Sequence, residues 1–592
     1  MTLPTPLTLD ILNVATPEAF ATLLDGLYEH SPWVMLRAAE ARPFASAAAL
    51  KYALALSVRN ANREEQLALV RAHPELAGRA AVAGNLTADS AGEQARAGLN
   101  ACTPEEFARL QELNAAYNQR FGFPFIVAVR GPTGAGLTRH QIIATLERRL
   151  RHAPAQEFSE ALRQIDRIAE IRLADRLTQP RAYGEQIMAW AETLATHSDS
   201  PDHLTCTYLT PAHRGAATQI AAWMQAAGFD TVTHDAVGNV VGRLRADPAI
   251  VSPKLVATGS HYDTVRNGGK YDGRLGVLLP IAIVAELHRQ QRRLPFDLDV
   301  IAFAEEEGVR YGSTFLGSSA YIGRFDTTPL DTIDQDGISM RDALRAAGLD
   351  PDAIAQAGID TTRLQHYFEV HIEQGPVLFE RNLPVGVVTS IAGSVRRMLT
   401  LRGVASHAGT TPMDMRRDAA CAAAEIVLAV ERRCATAPAL VGTVGVLNVP
   451  NGSVNVIPGT CMLSLDIRAA EDVVRDAAVA DLDREIAAIC DRRNVGLHVE
   501  ELMRAAAAPC AVTQMNWWSD AIAARGLPVL ALPSGAGHDA MKMAEAGTIT
   551  MLFTRCGNGG ISHNPLETMT ADDAQLAAEL TVDFLDRLAN AG

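Results

Sequence analysis

Apolar positions in the first 178 residues recur three and four apart, as in ASAAALKYALALSVRN (45 to 60) and TPEEFARLQELNAAYNQRFG (103 to 122). That spacing gathers apolar side chains on one helix face and predicts an all-α unit. In the second stretch Thr103 is a predicted N-cap, Glu106 its capping-box partner and Gly122 the stop. A turn at APAQEF (153 to 158) then leads into the helix SEALRQIDRIAEIRLADRL and on to Gln179-Pro180. Beyond about residue 180 the pattern changes. Short apolar runs, KLVATGS (254 to 260), LDVIAFA (298 to 304) and TITMLF (548 to 553), alternate with helical ones such as VLLPIAIVAELHRQ (277 to 290). This predicts βα units in a mostly parallel α/β sheet. Near Thr389 the pattern shifts again, and VRRMLTLRGVASHAG, LVGTVGVLNVPNGSVNVIPGT and the run from Cys461 to Arg493 predict strands and two helices of a smaller α+β unit. The organisation expected is a helical domain over 1 to 175, a catalytic sheet domain over 180 to 388 and 506 to 592, and an inserted domain over 389 to 505.

Length supports this division, since 592 residues exceed what one core can organise. With 48% hydrophobic and 20% charged residues the chain can bury sizeable cores. A formal charge of −15 argues against nucleic acid, whose binding needs a Lys/Arg excess. No basic stretch followed by an apolar segment opens the chain, and no long uncharged apolar run appears. No membrane association is therefore expected, and cytoplasm is the expected location. The eight cysteines include no C-x-x-C pair, and their wide spacing suits reduced core thiols.

Five residues carry the candidate chemistry. His261 and Asp272 lie in GSHYDTVRNGGKYDGRLGV, Glu307 closes AFAEEEG, His371 opens HIEQGP, and His563 lies in GISHNPLE. Each is expected in a Gly- or Pro-framed turn after an apolar run, where rigid strands hold donor atoms and loops leave an approach for substrate. Imidazoles with carboxylates suit Zn²⁺, Mn²⁺ or Co²⁺ better than Ca²⁺ or Mg²⁺. Asp272 is the natural bridge between two ions about 3.5–4 Å apart. One ion would take His261 and His371, the other Glu307 and His563, leaving Glu306 free as the general base.

These motifs, with EEEGVRYGSTFLGS, SHAGTTPMDMRRDA and PNGSVNVIPG, occur in order across residues 180 to 592. They resemble the amidase branch of the M20 metallopeptidases, which includes allantoate amidohydrolases, N-carbamoyl-L-amino-acid hydrolases and β-ureidopropionases. The resemblance implies the five ligands above for two divalent ions, Mn or Zn, with Glu306 as base and Asp263 orienting His261. It also implies that His407 reaches the site of the other subunit of a homodimer, formed through the inserted domain, to stabilise an oxyanion. Gln374, Arg396, Asn455 and Arg468 would bind substrate, with Arg397 the alternative to Arg396.

Three motifs of the helical segment remain: VRAHPELAGR (70 to 79), ADSAGEQARAGL (88 to 99) and YNQRFGFPFIVAVRG (117 to 131). A turn at His73-Pro74 and a helix start near Glu93-Gln94 could set an imidazole and a carboxylate on one pocket. Together the motifs resemble 2-oxo-4-hydroxy-4-carboxy-5-ureidoimidazoline (OHCU) decarboxylase, a cofactor-free helical enzyme of urate breakdown. The resemblance implies His73 as catalytic acid/base and Glu93 as its partner. Ser90, Gln94 and the backbone of Phe125, Ile126, Val127, Ala128 and Val129 would grip the substrate, and Arg167 or Arg172 its carboxylate. The combined expectation from the two resemblances is a bifunctional enzyme of ureide catabolism that decarboxylates OHCU to (S)-allantoin and hydrolyses allantoate to ureidoglycine, ammonia and CO₂. The alternatives are an N-carbamoyl-amino-acid hydrolase or β-ureidopropionase in the second part, and a non-catalytic oligomerisation module in the first.

Overall fold

The computed structural model describes residues 7–76, 102–131, 136–178 and 182–591. The first unit is helical among the described residues, and three of its helices matter most: α1 (Arg63–Ala72), α2 (Pro104–Phe121) and α3 (Pro154–Arg176). Helix α2 starts and stops on local chemistry. Thr103 and Glu106 exchange side-chain and backbone hydrogen bonds in a capping box, Pro104 fills the first position, and Gly122 closes the helix at φ 76°. The turn expected at APAQEF is instead the first turn of α3, because Pro154 stands at its start, where a missing N–H leaves no helical bond unmade. Phe158, Ala161, Ile165, Ala169 and Leu173 of α3 enter a core with Leu50, Leu54, Leu69 and Val70.

The second unit is built on a nine-stranded sheet. Four strands form its centre: β1 (Leu255–His261), β2 (Asp297–Phe303), β3 (Leu364–Ile372) and, later in the chain, Ile549–Thr554. They lie in the order β2, β1, β3, Ile549–Thr554 and all run parallel. Both outer neighbours, Val240–Leu244 and Val385–Ile391, pair antiparallel to them, so the sheet is mixed; the expected parallel order holds at its centre and again where Ala531–Ser534 pairs with Val385–Ile391. Side-chain periodicity encodes which faces are buried and carries no strand direction. Every residue of β1 and β2 is buried, which is why these strands read as continuous apolar runs.

A second, five-stranded sheet lies between the halves of the first, and its main strands are β4 (Gly393–Arg402) and β5 (Thr460–Ala469). Helices Ala419–Cys434 and Asp472–Arg493 cover one face. Cys461, Leu463, Leu465 and Ile467 of β5 point into that core, while the alternate residues, Asp466 and Arg468 among them, are only half-buried. The strand Ile549–Thr554, called β6 below, is followed by the loop carrying His563 and by the final helix Ala571–Ala591.

Candidate functional site

Because the central strands are parallel, their C-terminal ends lie along one edge, and the predicted ligands collect there. His261 is the last residue of β1 and His371 the penultimate residue of β3. Each strand therefore runs further than the sequence suggested, since ladder partners continue: His261 opposite Phe303, His371 opposite Phe553. Asp272 lies between β1 and the helix Arg274–Arg289, Glu307 follows β2, and His563 follows β6.

The carboxylate of Asp272 divides these residues into two groups. Its Oδ1 faces His261 Nε2 at 3.7 Å and His371 Nε2 at 3.3 Å, whereas Oδ2 faces His563 Nε2 at 3.1 Å. Glu307 Oε1 lies 3.5 Å from the same His563 nitrogen. Accordingly His261, Asp272 and His371 form one cluster of metal-binding size, and Asp272, Glu307 and His563 another. Both buried imidazoles are oriented through Nδ1. His371 Nδ1 donates to Ile372 O at 2.8 Å, and His261 Nδ1 lies 3.2 Å from Asp263 O and 3.4 Å from its Oδ1. The proton on His371 Nδ1 leaves its Nε2 lone pair on the side of Asp272, where it accepts from Gly273 N at 3.1 Å.

The electrostatics fit divalent cations. Burial raises Glu305 and Glu306 well above the ordinary carboxylate range and Glu307 to about 7. Burial drives His371 down to about 4, the neutral form that ligates. Against the opposing effect of burial, the neighbouring carboxylates of Asp263 and Asp272 hold His261 well above its usual value, and the contact with Asp272 lifts His563 to about 9. The carboxylates thus favour positive charge between Asp272 and its imidazoles. Among the described residues no Lys or Arg forms an ion pair with Asp263, Asp272, Glu306 or Glu307. Asp272 Oδ1 is also buried without a hydrogen-bond partner among the described residues. A buried acidic site of this kind, with two imidazoles facing an unpartnered oxygen, suits divalent ions.

Asp263 does more than face His261: its two oxygens accept from the backbone N–H groups of Glu306 and Glu307, both at 3.2 Å. Gln374 Nε2 donates to Asp272 Oδ2 at 2.8 Å and lies 3.3 Å from His563. The inserted domain's candidates lie apart from this cluster. Arg396 of β4 is the cross-strand neighbour of Asp466, and Arg396 and Arg468 both pair with that carboxylate. A cavity of about 510 Å³ borders these three residues and Gly535, whose carbonyl accepts from Arg468. Arg397 instead pairs with Asp483 and Glu501, so the geometry groups Arg396, not Arg397, with Arg468. Arg468's fork is filled by Asp466, a partner that a substrate carboxylate would have to displace. His407 pairs with Val456 beside Asn455, and its Nδ1 accepts from Gly409 N and Thr410 N. Neutral His407 therefore carries its proton on Nε2, and it is exposed.

In the helical unit Ser90, Glu93 and Gln94 lie outside the described residues. His73 closes α1. Its Nδ1 donates to Leu69 O at 3.1 Å, and its Nε2 is buried without a partner among the described residues. Burial lowers it to about 4, so at neutral pH it presents a basic Nε2 lone pair; Glu29 and Arg172 both act on its charge. Arg172 is buried, bonded to Glu29 and Gly26 O, whereas Arg167 faces Asp572 of the second unit. Arg172 thus acts on the charge of His73, while Arg167 is engaged at the second unit. Much of the expected gripping backbone is already engaged: Ile126 O by Arg149, Ala128 N by Gln164, Ala128 O by Gly131 N and Val129 O by Leu137 N. Phe125 and Val127 are buried beside them.

Several functional neighbours escape a reading of the sequence. Glu567 accepts from the backbone N–H groups of Tyr271 and Asp272 at 2.9 and 3.1 Å and from Ser562 Oγ at 2.6 Å, tying the Asp272 loop to the His563 loop. Gly269 permits that approach, because a Cβ there would overlap the Glu567 carboxylate. Burial raises Glu567 to about 7. Its only sequence signal was an acid four residues after His563. His538, whose ring stands 4.5 Å from that of His371 and whose Nε2 lies 2.7 Å from Ser534 Oγ, gave no signal.

Known proteins match both parts. A family model described as OHCU decarboxylase matches residues 13–174, and one described as peptidase family M20/M25/M40 matches residues 257–587, more than half of the chain. Allantoate deiminase 2 of Glycine max is 36% identical over 440 residues, covering 69% of this chain and 90% of its own length. An N-carbamoyl-L-amino acid amidohydrolase of Geobacillus stearothermophilus is 38% identical over 380 residues, 64% of this chain and 92% of its own. The crystal structure of an amidase of the hydantoinase/carbamoylase family from Burkholderia multivorans is similar at a TM-score of 0.63 and 30% identity, over 69% of this chain and 99% of that one. The match over residues 257–587 makes the chain a member of the M20/M25/M40 peptidase family, with an OHCU decarboxylase domain at its N-terminal side.

Proposed function

We propose that this chain is a bifunctional enzyme of ureide breakdown: its helical domain decarboxylates OHCU to (S)-allantoin, and its sheet domain hydrolyses allantoate to ureidoglycine, ammonia and CO₂ at a dinuclear metal centre. The observation that carries this reading is the presence, in one chain, of an OHCU decarboxylase domain and a hydrolase whose relatives include proteins named allantoate deiminase. The two steps flank one ring-opening hydrolysis, so the first product must leave before the second site can use its derivative.

His261 and His371 with Asp272, and Glu307 and His563 with Asp272, would hold the two ions, Mn or Zn. When bound, the ions would polarise the ureido carbonyl and make water more acidic. Glu306 takes the proton of the attacking water, burial having raised its basicity. The Nε2–H of His407 faces the oxygen that becomes negative. The C–N bond to the terminal nitrogen breaks, ammonia leaves, and the remaining carbamate loses CO₂. Arg396, Arg468, Asn455 and Gln374 orient the substrate. In the helical domain neutral His73 must take a proton before it can return one to the substrate.

Catalysis by His407 requires a second copy or a closing of the inserted domain, since no hydrogen bond joins it to the ligand cluster among the described residues. The inserted sheet supports a homodimer: its edge strand Gly496–Ala505 pairs on one side only and is mostly exposed, with Leu502 54% accessible. Among the described residues no helix is long and apolar enough to cross a membrane. Cytoplasm remains the proposed location.

A second reading, hydrolysis of N-carbamoyl-amino acids, is favoured by the 38% identical relative of that name. Ammonia release by the metal-loaded protein from allantoate, N-carbamoyl-β-alanine and N-carbamoyl-amino acids decides between them. Chelator abolishes ammonia release and leaves OHCU decarboxylation intact. Equal loss of both would overturn the helical assignment.

A further inference from the structure

Six charges alternate in sign across the seam between the helical and sheet units. Lys51 pairs with Asp572 at 3.1 Å, Asp572 with Arg167 at 3.0 Å, Arg167 with Glu170 at 3.0 Å, and Glu170 with Arg555 at 3.9 Å. Arg555 closes the series on Asp573 through two bonds of 3.1 and 3.0 Å. Lys51, Arg167 and Glu170 belong to the helical unit; Asp572, Arg555 and Asp573 belong to the sheet unit. None of the six side chains is more than 19% exposed. In such a setting, removing one charge leaves its neighbour buried and uncompensated.

The sheet unit's three members are the two ends of one loop. Arg555 follows β6 directly, Asp572 and Asp573 open the final helix, and between them lie His563 and Glu567. Gly557 N donates to Thr568 O at 2.7 Å, closing the loop's neck just inside the charged ends. Arg555 also donates to Asn382 at 2.7 Å, anchoring the neck to the turn that leads into the strand Val385–Ile391. From the neck the chain reaches His563, one face of the Asp272 carboxylate, and Glu567, the brace on the Asp272 backbone.

We propose that the helical unit is a clamp on the hydrolase's metal loop: through Arg167, Glu170 and Lys51 it fixes the neck of 555–570 and so positions His563 and Glu567. The proposal rests on the dinuclear reading above. The three helical residues are positioning residues that touch neither substrate nor ion.

The experiment uses the full chain. Wild-type protein is first loaded with Mn²⁺ or Zn²⁺ and its bound ions counted; any number other than two refutes the dinuclear reading independently of the clamp. Chelator is then titrated against wild type, Lys51→Ala/Arg167→Ala and Glu170→Ala, following the ions retained per chain. One ion should be lost at about three- to tenfold lower chelator in the variants, below the 10–100-fold typical of residues bonded directly to ligands, while the other is retained as in wild type. Arg167→Lys should restore retention. Arg163→Ala removes a seam contact to Glu380, outside the loop, and controls for loosened docking. It should lower Tm and leave both ions in place. Unchanged retention in the clamp variants, or loss equal to that in Arg163→Ala, overturns the proposal.

Discussion

Glu567 offers the most discriminating perturbation of the hydrolase, because one carboxylate oxygen serves two backbone donors. Its Oε1 accepts from Tyr271 N and Asp272 N, and its Oε2 from Ser562 Oγ, which also lies 3.1 Å from Asp272 Oδ2. Glu567→Ala leaves both buried N–H groups unpaired, at about 1–3 kcal/mol each, or about 2–6 kcal/mol together. Part of that cost appears as lost stability. The rest appears as freedom of the Asp272 backbone, for which a 10–100-fold weaker hold on metal is about the usual consequence. Glu567→Gln separates geometry from charge. The amide oxygen still serves both N–H groups, and its NH₂ donates to Ser562 Oγ, whose hydroxyl proton turns to Asp272. Bound ions per chain, chelator titration and Tm should therefore place Glu567→Gln within about threefold of wild type while Glu567→Ala falls far below. If Gln is as damaging as Ala, the negative charge matters and the brace argument fails; if Ala retains its ions normally, no brace exists.

Glu306→Gln should keep both ions while kcat falls about 10²–10⁴-fold, and metal loss along with activity would make Glu306 a ligand. His73, lowered from 6.5 to about 4 by burial, should give OHCU decarboxylation an acid limb far below pH 6.5 in the kcat/KM profile. The same depression means that the unfolded chain binds the proton first. Stability from His73 is complete above pH 6.5 and lost as pH falls toward 4, by at most about 3 kcal/mol, and His73→Asn should flatten that slope in denaturant titrations. Mixing His407→Ala with Glu306→Gln chains should give mixed dimers with one intact site and about half of wild-type activity, and no recovery in verified mixed dimers would confine His407 to its own chain.

What the sequence disclosed was local. Thr103, Glu106 and Gly122 act within one helix, so their roles are legible from spacing. β1 and β2 are buried on both faces, so they stand out as apolar runs, and the ligands at their ends stand out with them. Strand direction is a property of the assembled sheet, and the antiparallel flanks were not foreseen. Arg167 and Arg172 lie five residues apart on one helix, about 140° around its axis. Spacing assigns them different faces without saying which acts on His73. Only assembly does so: Arg172 meets Glu29, and Arg167 meets Asp572, 405 residues further along. Glu567 has the same character, since its backbone donors lie 295 and 296 residues away.

The two candidate sites solve their electrostatics in opposite ways. Beside His73 the buried charges balance within the chain: Arg172 stands against Glu29 at 3.1 Å, and the imidazole is neutral. Proton transfer is what such a site can offer. At the edge of the sheet, acidic groups gather without a Lys or Arg ion pair among the described residues, and three imidazoles face the one carboxylate of Asp272. That arrangement is costly alone and coherent around divalent ions. Metal dependence should therefore divide the chain at the seam, and the seam itself, bridged by alternating charges, is where the helical unit can act on the hydrolase without sharing its chemistry.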